Sequence, residues 1–215
     1  MTKPRLLIVG DSFFYPDVAF PGQHWSEMLP DYNVDNRAYP GNSINIIQLS
    51  LLEGLKASPA AVVVGFTNPG RIEFKNTIDN VPGQWITSLH RHLLNSDQKL
   101  MIQMHMALAD YNLINFGAFW QILGILHFLK NLNIPFVYSP GTFQLQVQFT
   151  PALTDNNTVT NAEIAQFDKH KLDLNLSTYP QELQQVQSPI FHVPDPIWQS
   201  GFANEVMTKL KTLDI

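Results

Sequence analysis

The chain has 215 residues, of which 14% are charged, and its formal net charge is -5. A weakly acidic chain of this kind gives no reason to expect binding to nucleic acid or to an anionic membrane surface. The chain contains no cysteine, which excludes disulfides, thiolate metal sites and thiol catalysis. Its length and its 45% content of hydrophobic residues predict one globular domain over residues 1–215.

The chain begins with a pattern typical of a strand. Residues 5–9 (RLLIV) form a short apolar run that ends at Gly10, as a buried parallel strand would. No basic region followed by a long apolar stretch precedes this run. We therefore expect no signal peptide.

Helix and strand patterns alternate through the next sixty residues. Residues 23–29 predict a short helix, residues 34–38 a weak second strand, and residues 43–56 a longer helix with regularly spaced isoleucines and leucines. Residues 60–66 (AAVVVGF) are the most apolar strand pattern in the chain. This order is typical of a parallel sheet with helices on its faces.

The alternation continues to residue 139. Residues 85–94 predict an amphipathic helix, residues 100–106 a strand, and residues 134–139 another strand. Residues 111–129 contain no charge and are apolar on nearly every face. Polar side chains interrupt this run, so we expect a helix buried in the domain or at a subunit contact, not a membrane span.

Residues from about 140 to 189 interrupt the pattern. Residues 143–149 alternate apolar side chains with glutamines, which predicts a half-buried strand within an elaboration of the same domain. Residues 190–193 predict a short final strand and residues 201–213 a closing helix. Together the patterns predict a three-layer α/β/α domain with a central parallel sheet, in which ligands bind at the carboxyl ends of the strands.

Four short motifs lie at these strand ends or before the last helix. They are Gly10-Asp11-Ser12-Phe13 after the first strand, Gly41 after the second, Gly65-Phe66-Thr67-Asn68 at the end of the third, and Asp195-Pro196-Ile197-Trp198 before the closing helix. Each also has a structural interpretation, because serine caps helices and because glycine and asparagine favour turns. Their joint placement is what indicates a site.

In order and spacing along nearly the whole chain, these motifs resemble the SGNH (GDSL-like) hydrolase superfamily. The resemblance implies the flavodoxin-like α/β/α fold of that family and a Ser12 nucleophile. It also implies an oxyanion hole formed by the Ser12 N–H, the Gly41 N–H and the Asn68 side chain, with Asp195 orienting the catalytic base. The implied substrate is a small ester, either an acyl ester or an acetyl group on a carbohydrate, and no cofactor is expected.

A narrower similarity connects the chain with hydrolase-like proteins of bacteriophages. It depends on the GDSF sequence, on Trp25 in the first predicted helix and on the Arg71-x-Glu73 motif that follows the third of the four motifs. With no signal peptide expected, we expect the protein to be cytoplasmic or virion-associated.

One position departs from the family pattern. Trp198 occupies the place of the catalytic histidine, and an indole has no basic nitrogen that could take the serine proton. Two other histidines are candidate substitutes: His192 in the same loop, and His105 near the end of a predicted core strand. No pair of histidines has the spacing of a metal site, so no metal is expected.

Two functions therefore remain open. The first is a serine esterase that acts through Ser12. The second is a catalytically inactive protein of the same fold that serves binding or assembly, such as a virion component with protein partners. Trp198, the low charge and the apolar helix over residues 111–129 favour the second.

Overall fold

The central sheet contains the strands that the sequence marks as most apolar. The structure is a computed structural model that describes residues 2–16, 21–75, 85–87, 92–140, 162–173 and 196–213. In chain order its elements are β1 (Arg5–Val9), a 3-10 helix (Trp25–Glu27), β2 (Asn33–Asn36), α1 (Ile44–Leu55), β3 (Ala61–Gly65), β4 (Glu73–Lys75), β5 (Trp85–Thr87), α2 (Ser96–Leu108), α3 (Tyr111–Asn131), β6 (Phe136–Ser139), the helical turn α4 (162–165), a second 3-10 helix (Asp168–His170) and α5 (Pro196–Thr212).

Four of these strands form a parallel sheet in the order β2-β1-β3-β6. The register pairs Leu7 of β1 with Asp35 on one side and with Val62 on the other, and it pairs Val63 with Val137. Every residue of β3 and β6 is buried, as expected for strands covered on both faces. The predicted parallel sheet is confirmed.

Alternate residues of each strand contribute to two separate cores. On one face, Leu7, Val62 and Phe136 pack with residues of α1 and α3. On the other face, Leu6, Ile8, Val63 and Val137 pack with Trp25 and with residues of α5, including Phe202 and Val206. The period of two thus places helices on both faces, which confirms the three-layer α/β/α architecture.

The apolar helix predicted over residues 111–129 is α3 and extends to Asn131. Its inner side buries Phe119, Ile122, Leu126 and Leu129 against the sheet. Within the described residues, no helix combines the length and the apolar character that crossing a membrane would require. The packing side of α3 is therefore part of the core of the domain.

Two predictions between residues 85 and 106 are wrong. Residues 85–87 form strand β5, which pairs antiparallel with β4, and the helix predicted there is absent from these residues. Residues 100–106 lie in helix α2, where a strand was predicted. Asn95 caps this helix: its side chain accepts from the Gln98 N–H at 2.9 Å, and its own N–H donates to the Gln98 side chain at 3.0 Å.

Other elements differ from the predictions in length or lie outside the described residues. The helix predicted at residues 23–29 is a single 3-10 turn, and α5 begins five residues before the predicted start at residue 201. The strands predicted at residues 143–149 and 190–193 lie outside the described residues.

Candidate functional site

The candidate nucleophile lies in a tight turn directly after β1. Ser12 is half-buried, and the Phe14 N–H donates to the Asp11 carbonyl at 3.0 Å to close the turn. The Asp11 carboxylate is buried beneath it, where Oδ1 accepts from the Phe13 N–H at 3.1 Å and Oδ2 accepts from the Thr67 hydroxyl at 2.7 Å. Asp11 thus fixes the Ser12 turn to the residues that follow β3.

Arg71 extends this network to the loop after β2. Its Nη2 lies 3.3 Å from Asp11 Oδ2, and its Nη1 donates to the carbonyl of Asn42. Both side chains of the ion pair are almost fully buried, at 11% and 2% exposed. Burial lowers the pKa of Arg71, and the neighbouring Asp11 counteracts that shift.

Gly41 has the backbone conformation that only glycine adopts without strain. Its φ is 82°, in the left-handed region, and the residue is buried. Its carbonyl accepts from the Thr87 hydroxyl of β5 at 2.8 Å, and the next residue, Asn42, donates through Nδ2 to the Gly10 carbonyl at 2.9 Å. The Gly41 loop is therefore held between the end of β1 and the β4–β5 hairpin.

Asn68, the last residue of the Gly65-Phe66-Thr67-Asn68 motif, is exposed. Its side-chain oxygen accepts from the Gly70 N–H at 2.9 Å, which leaves the amide NH₂ to donate elsewhere. This assignment of oxygen and nitrogen follows from the hydrogen bond itself.

The three candidate oxyanion donors are each next in sequence to a member of the Asp11 network. Ser12 follows Asp11, Gly41 precedes Asn42, and Asn68 follows Thr67. Within the described residues, no protein acceptor is bonded to the N–H of Ser12, the N–H of Gly41 or the Asn68 amide nitrogen. The network therefore joins the three loops that carry these candidate donors.

The ring of Phe14 forms a floor below these loops that the sequence analysis missed. A Cβ added at Gly10 would lie 2.7 Å from the ring, and one added at Gly65 would lie 2.1 Å from it. The ring also makes edge contacts with Trp25 and Phe202, at centroid distances of 5.4 and 5.9 Å. The sequence signal for this packing was the pair of glycines at the ends of β1 and β3, which leave room for the ring.

His24 is a structural histidine beside the nucleophile turn. Its Nε2 lies 3.2 Å from the Phe13 carbonyl, and its Nδ1 accepts from the Ser26 N–H at 3.2 Å. Burial lowers its pKa to about 4. Both ring nitrogens are thus engaged, and so low a pKa suits a neutral hydrogen-bonding residue better than a general base at neutral pH.

The structure changes the position of one candidate base. His105 was placed at the end of a core strand, but it lies in α2 and is exposed, so the reason to expect it at the sheet edge no longer holds. His192 and Asp195 lie outside the described residues. Trp198 is half-buried in the first turn of α5, and the adjacent Gln199 accepts from the Trp25 N–H at 2.8 Å.

No grouping of histidine and acidic side chains that could hold a metal ion occurs in the part of the chain that the structure describes. The polar network is instead built from one buried carboxylate, one guanidinium, hydroxyls and amides. Such groups position backbone donors and bind an oxyanion through hydrogen bonds.

No family model matches the chain. No curated protein sequence matches it either. Solved structures do match along almost the whole length.

A lipolytic protein of the G-D-S-L family from Desulfitobacterium hafniense superimposes with a TM-score of 0.53 at 10% identity, over 96% of this chain and 99% of that one. The esterase EstA from Pseudoalteromonas sp. gives a TM-score of 0.50 at 12% identity, over 98% of each chain. A catalytic mutant of Axe2, an acetylxylan esterase from Geobacillus stearothermophilus, gives 0.50 at 13% identity, over 97% of this chain and 94% of that one. The parallel sheet, its two helical layers and these similarities show that the chain has the fold of the SGNH (GDSL) hydrolases.

Proposed function

We propose that the chain is a serine ester hydrolase of the SGNH superfamily, with Ser12 as its nucleophile. The observation that carries the proposal is the Asp11 network, which joins the Ser12 turn to Thr67 directly and to Asn42 through Arg71. A buried ion pair costs desolvation energy and is weak evidence for stability alone. Its position beneath the three loops that carry the candidate donors is consistent with a role in shaping an oxyanion site.

The proposed reaction begins with attack of the Ser12 hydroxyl oxygen on the ester carbonyl carbon. The carbonyl oxygen becomes an oxyanion, which accepts hydrogen bonds from the N–H groups of Ser12 and Gly41 and from the Asn68 amide. The tetrahedral intermediate collapses, the alcohol leaves with a proton, and Ser12 carries the acyl group. Water then hydrolyses this acyl-enzyme and restores the serine.

The Ser12 proton requires an acceptor, and Trp198 cannot be that acceptor because its indole nitrogen only donates. We assign this role to His192, which lies three residues before Asp195 in the sequence. His24 is a weaker candidate because both of its ring nitrogens are engaged and its pKa is low.

The names of two solved structures with this fold support a proposal for the substrate class. One structure of the same fold is named an acetylxylan esterase and another an esterase. We propose an acetyl or other short acyl ester as the substrate of this chain, on a carbohydrate or another small alcohol.

The test is hydrolysis of 4-nitrophenyl acetate by the wild type and by Ser12→Ala. The proposal expects the serine variant to lose the activity and Asn68→Ala to lower kcat by about 100- to 1000-fold, the usual effect of removing one oxyanion donor. His192→Gln should abolish turnover, whereas His105→Gln should leave it unchanged. Equal rates for the wild type and Ser12→Ala would refute the proposal.

A second candidate is a catalytically inactive protein of this fold that serves binding or assembly, for example within a virion. The specific observation in its favour is Trp198 at the histidine position, in the first turn of α5. This candidate expects no Ser12-dependent hydrolysis and expects the chain to be found in an isolated particle. Robust turnover that depends on Ser12 would contradict it.

A further inference from the structure

Helix α3 has an uncharged outer face that nothing in the described part of the chain covers. The residues of this face are all exposed and recur every three or four positions, which places them on one stripe: Gly117, Trp120, Gly124, Phe128 and Asn131. Trp120 is 44% exposed and Phe128 is 39% exposed. The charged group of Lys130, also on α3, lies away from the stripe, 5.5 Å from the ring centre of Phe167.

Packing against the described residues does not require the two glycines of this face. A Cβ added at Gly117 or at Gly124 would meet no atom within 4 Å. Glycine nevertheless destabilises a helix interior relative to alanine. Two glycines beside two exposed aromatic side chains are therefore typical of a helix surface against which another helix packs closely.

The spacing along α3 makes this face complementary to itself. If two copies pack antiparallel about a two-fold axis between residues 122 and 123, position 117 of one helix faces position 128 of the other. The same axis places position 120 within one residue of position 124. Each aromatic side chain then lies over a glycine of the second copy, which is the isologous arrangement that a two-fold dimer requires.

We propose that the outer face of α3 is the interface of a homodimer, in which two α3 helices pack antiparallel and Trp120 and Phe128 fill the notches above Gly124 and Gly117 of the second copy. This inference is independent of catalysis by Ser12. It applies equally to an active esterase and to a binding protein.

The neighbouring helix α1 enlarges the apolar area of this face. Gln121 donates to Asn45 at 2.7 Å and to Gln48 at 3.0 Å, so α1 lies directly beside the stripe. Leu49 and Leu52 of α1 are 47% and 42% exposed.

With Trp120 and Phe128, these leucines expose roughly 350 Å² of apolar side chain, which is in the range of surface patches that mark interaction sites. A standard interface buries about 800 Å² per partner, of which a little over half is apolar. The face therefore supplies most of the apolar area that a dimer of this size needs.

Light scattering at increasing protein concentration provides the first test. We expect the wild type to form dimers, and Gly124→Leu to be monomeric while folding normally, because a Cβ at Gly124 meets no atom of the described residues within 4 Å. Trp120→Ala should also weaken the dimer. Leu108→Ala, which changes an 80% exposed side chain on α2, is the matched control and should leave the dimer intact.

Cysteine cross-linking tests the orientation, because the chain has no cysteine of its own. Two copies of position 124 lie about 5 Å apart along the helix axis in the proposed dimer, and two copies of position 117 about 16 Å apart. Gly124→Cys should therefore form a disulfide with itself, and Gly117→Cys should not. A mixture of Gly117→Cys and Phe128→Cys should form mixed disulfides.

A wild type that stays monomeric at every concentration would overturn the proposal. A dimer that survives Gly124→Leu but dissociates with Leu108→Ala would also overturn it, because the interface would then be on α2. Self-cross-linking at both position 117 and position 124 would indicate parallel helices in register and contradict the antiparallel arrangement.

Discussion

Arg71 and Asp11 form an almost fully buried ion pair that connects the loop before β4 to the turn that follows β1, with Nη2 3.3 Å from Oδ2. The same guanidinium donates to the Asn42 carbonyl, so a single side chain contacts two of the three loops of the candidate site. The ion pair therefore contributes to the stability of the fold and also helps to position the loops of the candidate site.

Replacing Arg71 with methionine should destabilise the protein by about 2–4 kcal/mol, because the substitution leaves a buried carboxylate without its ion partner. Urea unfolding measures this loss. Lys56→Met is the matched control, since the Lys56–Glu53 pair is exposed and its loss should change the free energy of unfolding far less. Similar losses for both variants would contradict a special role for Arg71.

Gly65→Ala should destabilise the protein by about 1–3 kcal/mol, the usual effect of overpacking a tight core, because its Cβ would overlap the Phe14 ring. The double variant with Phe14→Leu should recover part of this loss, since the smaller side chain leaves room. A double-mutant cycle followed by urea unfolding measures the coupling. If the losses of the two single variants simply add in the double variant, the contact with the Phe14 ring does not determine which side chain position 65 can accept.

His24 should make stability depend on pH between 6.5 and 4. Its pKa falls from the ordinary 6.5 to about 4 on folding, so the unfolded chain binds more protons in this range. The contribution is fully present above pH 6.5 and is lost as the pH falls towards 4, by about 3 kcal/mol in total.

Urea unfolding at pH 7 and at pH 4.5 measures this effect as the difference between the wild type and His24→Asn. Asparagine retains a capping oxygen, so the variant should fold and should show a smaller loss on acidification. His92→Gln changes an exposed histidine and should keep the wild-type loss. An unchanged pH dependence in His24→Asn would refute the assignment.

In the His192→Gln variant, which lacks the assigned base, Trp198→His should raise the rate of ester hydrolysis by about 100-fold or more, because it supplies a general base at the position where the SGNH resemblance places one. The measurement is kcat with 4-nitrophenyl acetate. Adding Ser12→Ala should remove the gain, which identifies Ser12 as the nucleophile. If Trp198→His gains nothing in this background, the proposed equivalence of position 198 with the base position is wrong.

Much of the fold could be predicted from local pattern. The strands β1, β3 and β6 are short apolar runs, and burial on both faces of a parallel sheet imposes that composition directly. The apolar run at residues 100–106 is ambiguous, because such a segment suits either a buried strand or a helix. The capping pair Asn95 and Gln98 was the signal that distinguished them.

The site could be predicted only in part, for a different reason. Ser12, Gly41 and Asn68 stand at strand ends, so their approximate positions follow from the alternation of elements. Arg71 and Thr87 join the site through contacts that no local pattern encodes, because they come from the loop before β4 and from β5, outside the main sheet. β5 itself was missed since its pairing with β4 depends on partners some twelve residues away.

The hydrogen bond from the Trp25 N–H to Gln199 spans 174 residues of sequence. Trp25 also donates through its indole to the carbonyl of Phe13, the residue after Ser12. During synthesis the first strand leaves the ribosome long before α5 does, and contacts this distant in sequence form late. The turn that carries Ser12 therefore reaches its final packing only after the last helix has been made, so premature termination before α5 would yield a chain that has its serine but lacks the support of that serine's loop.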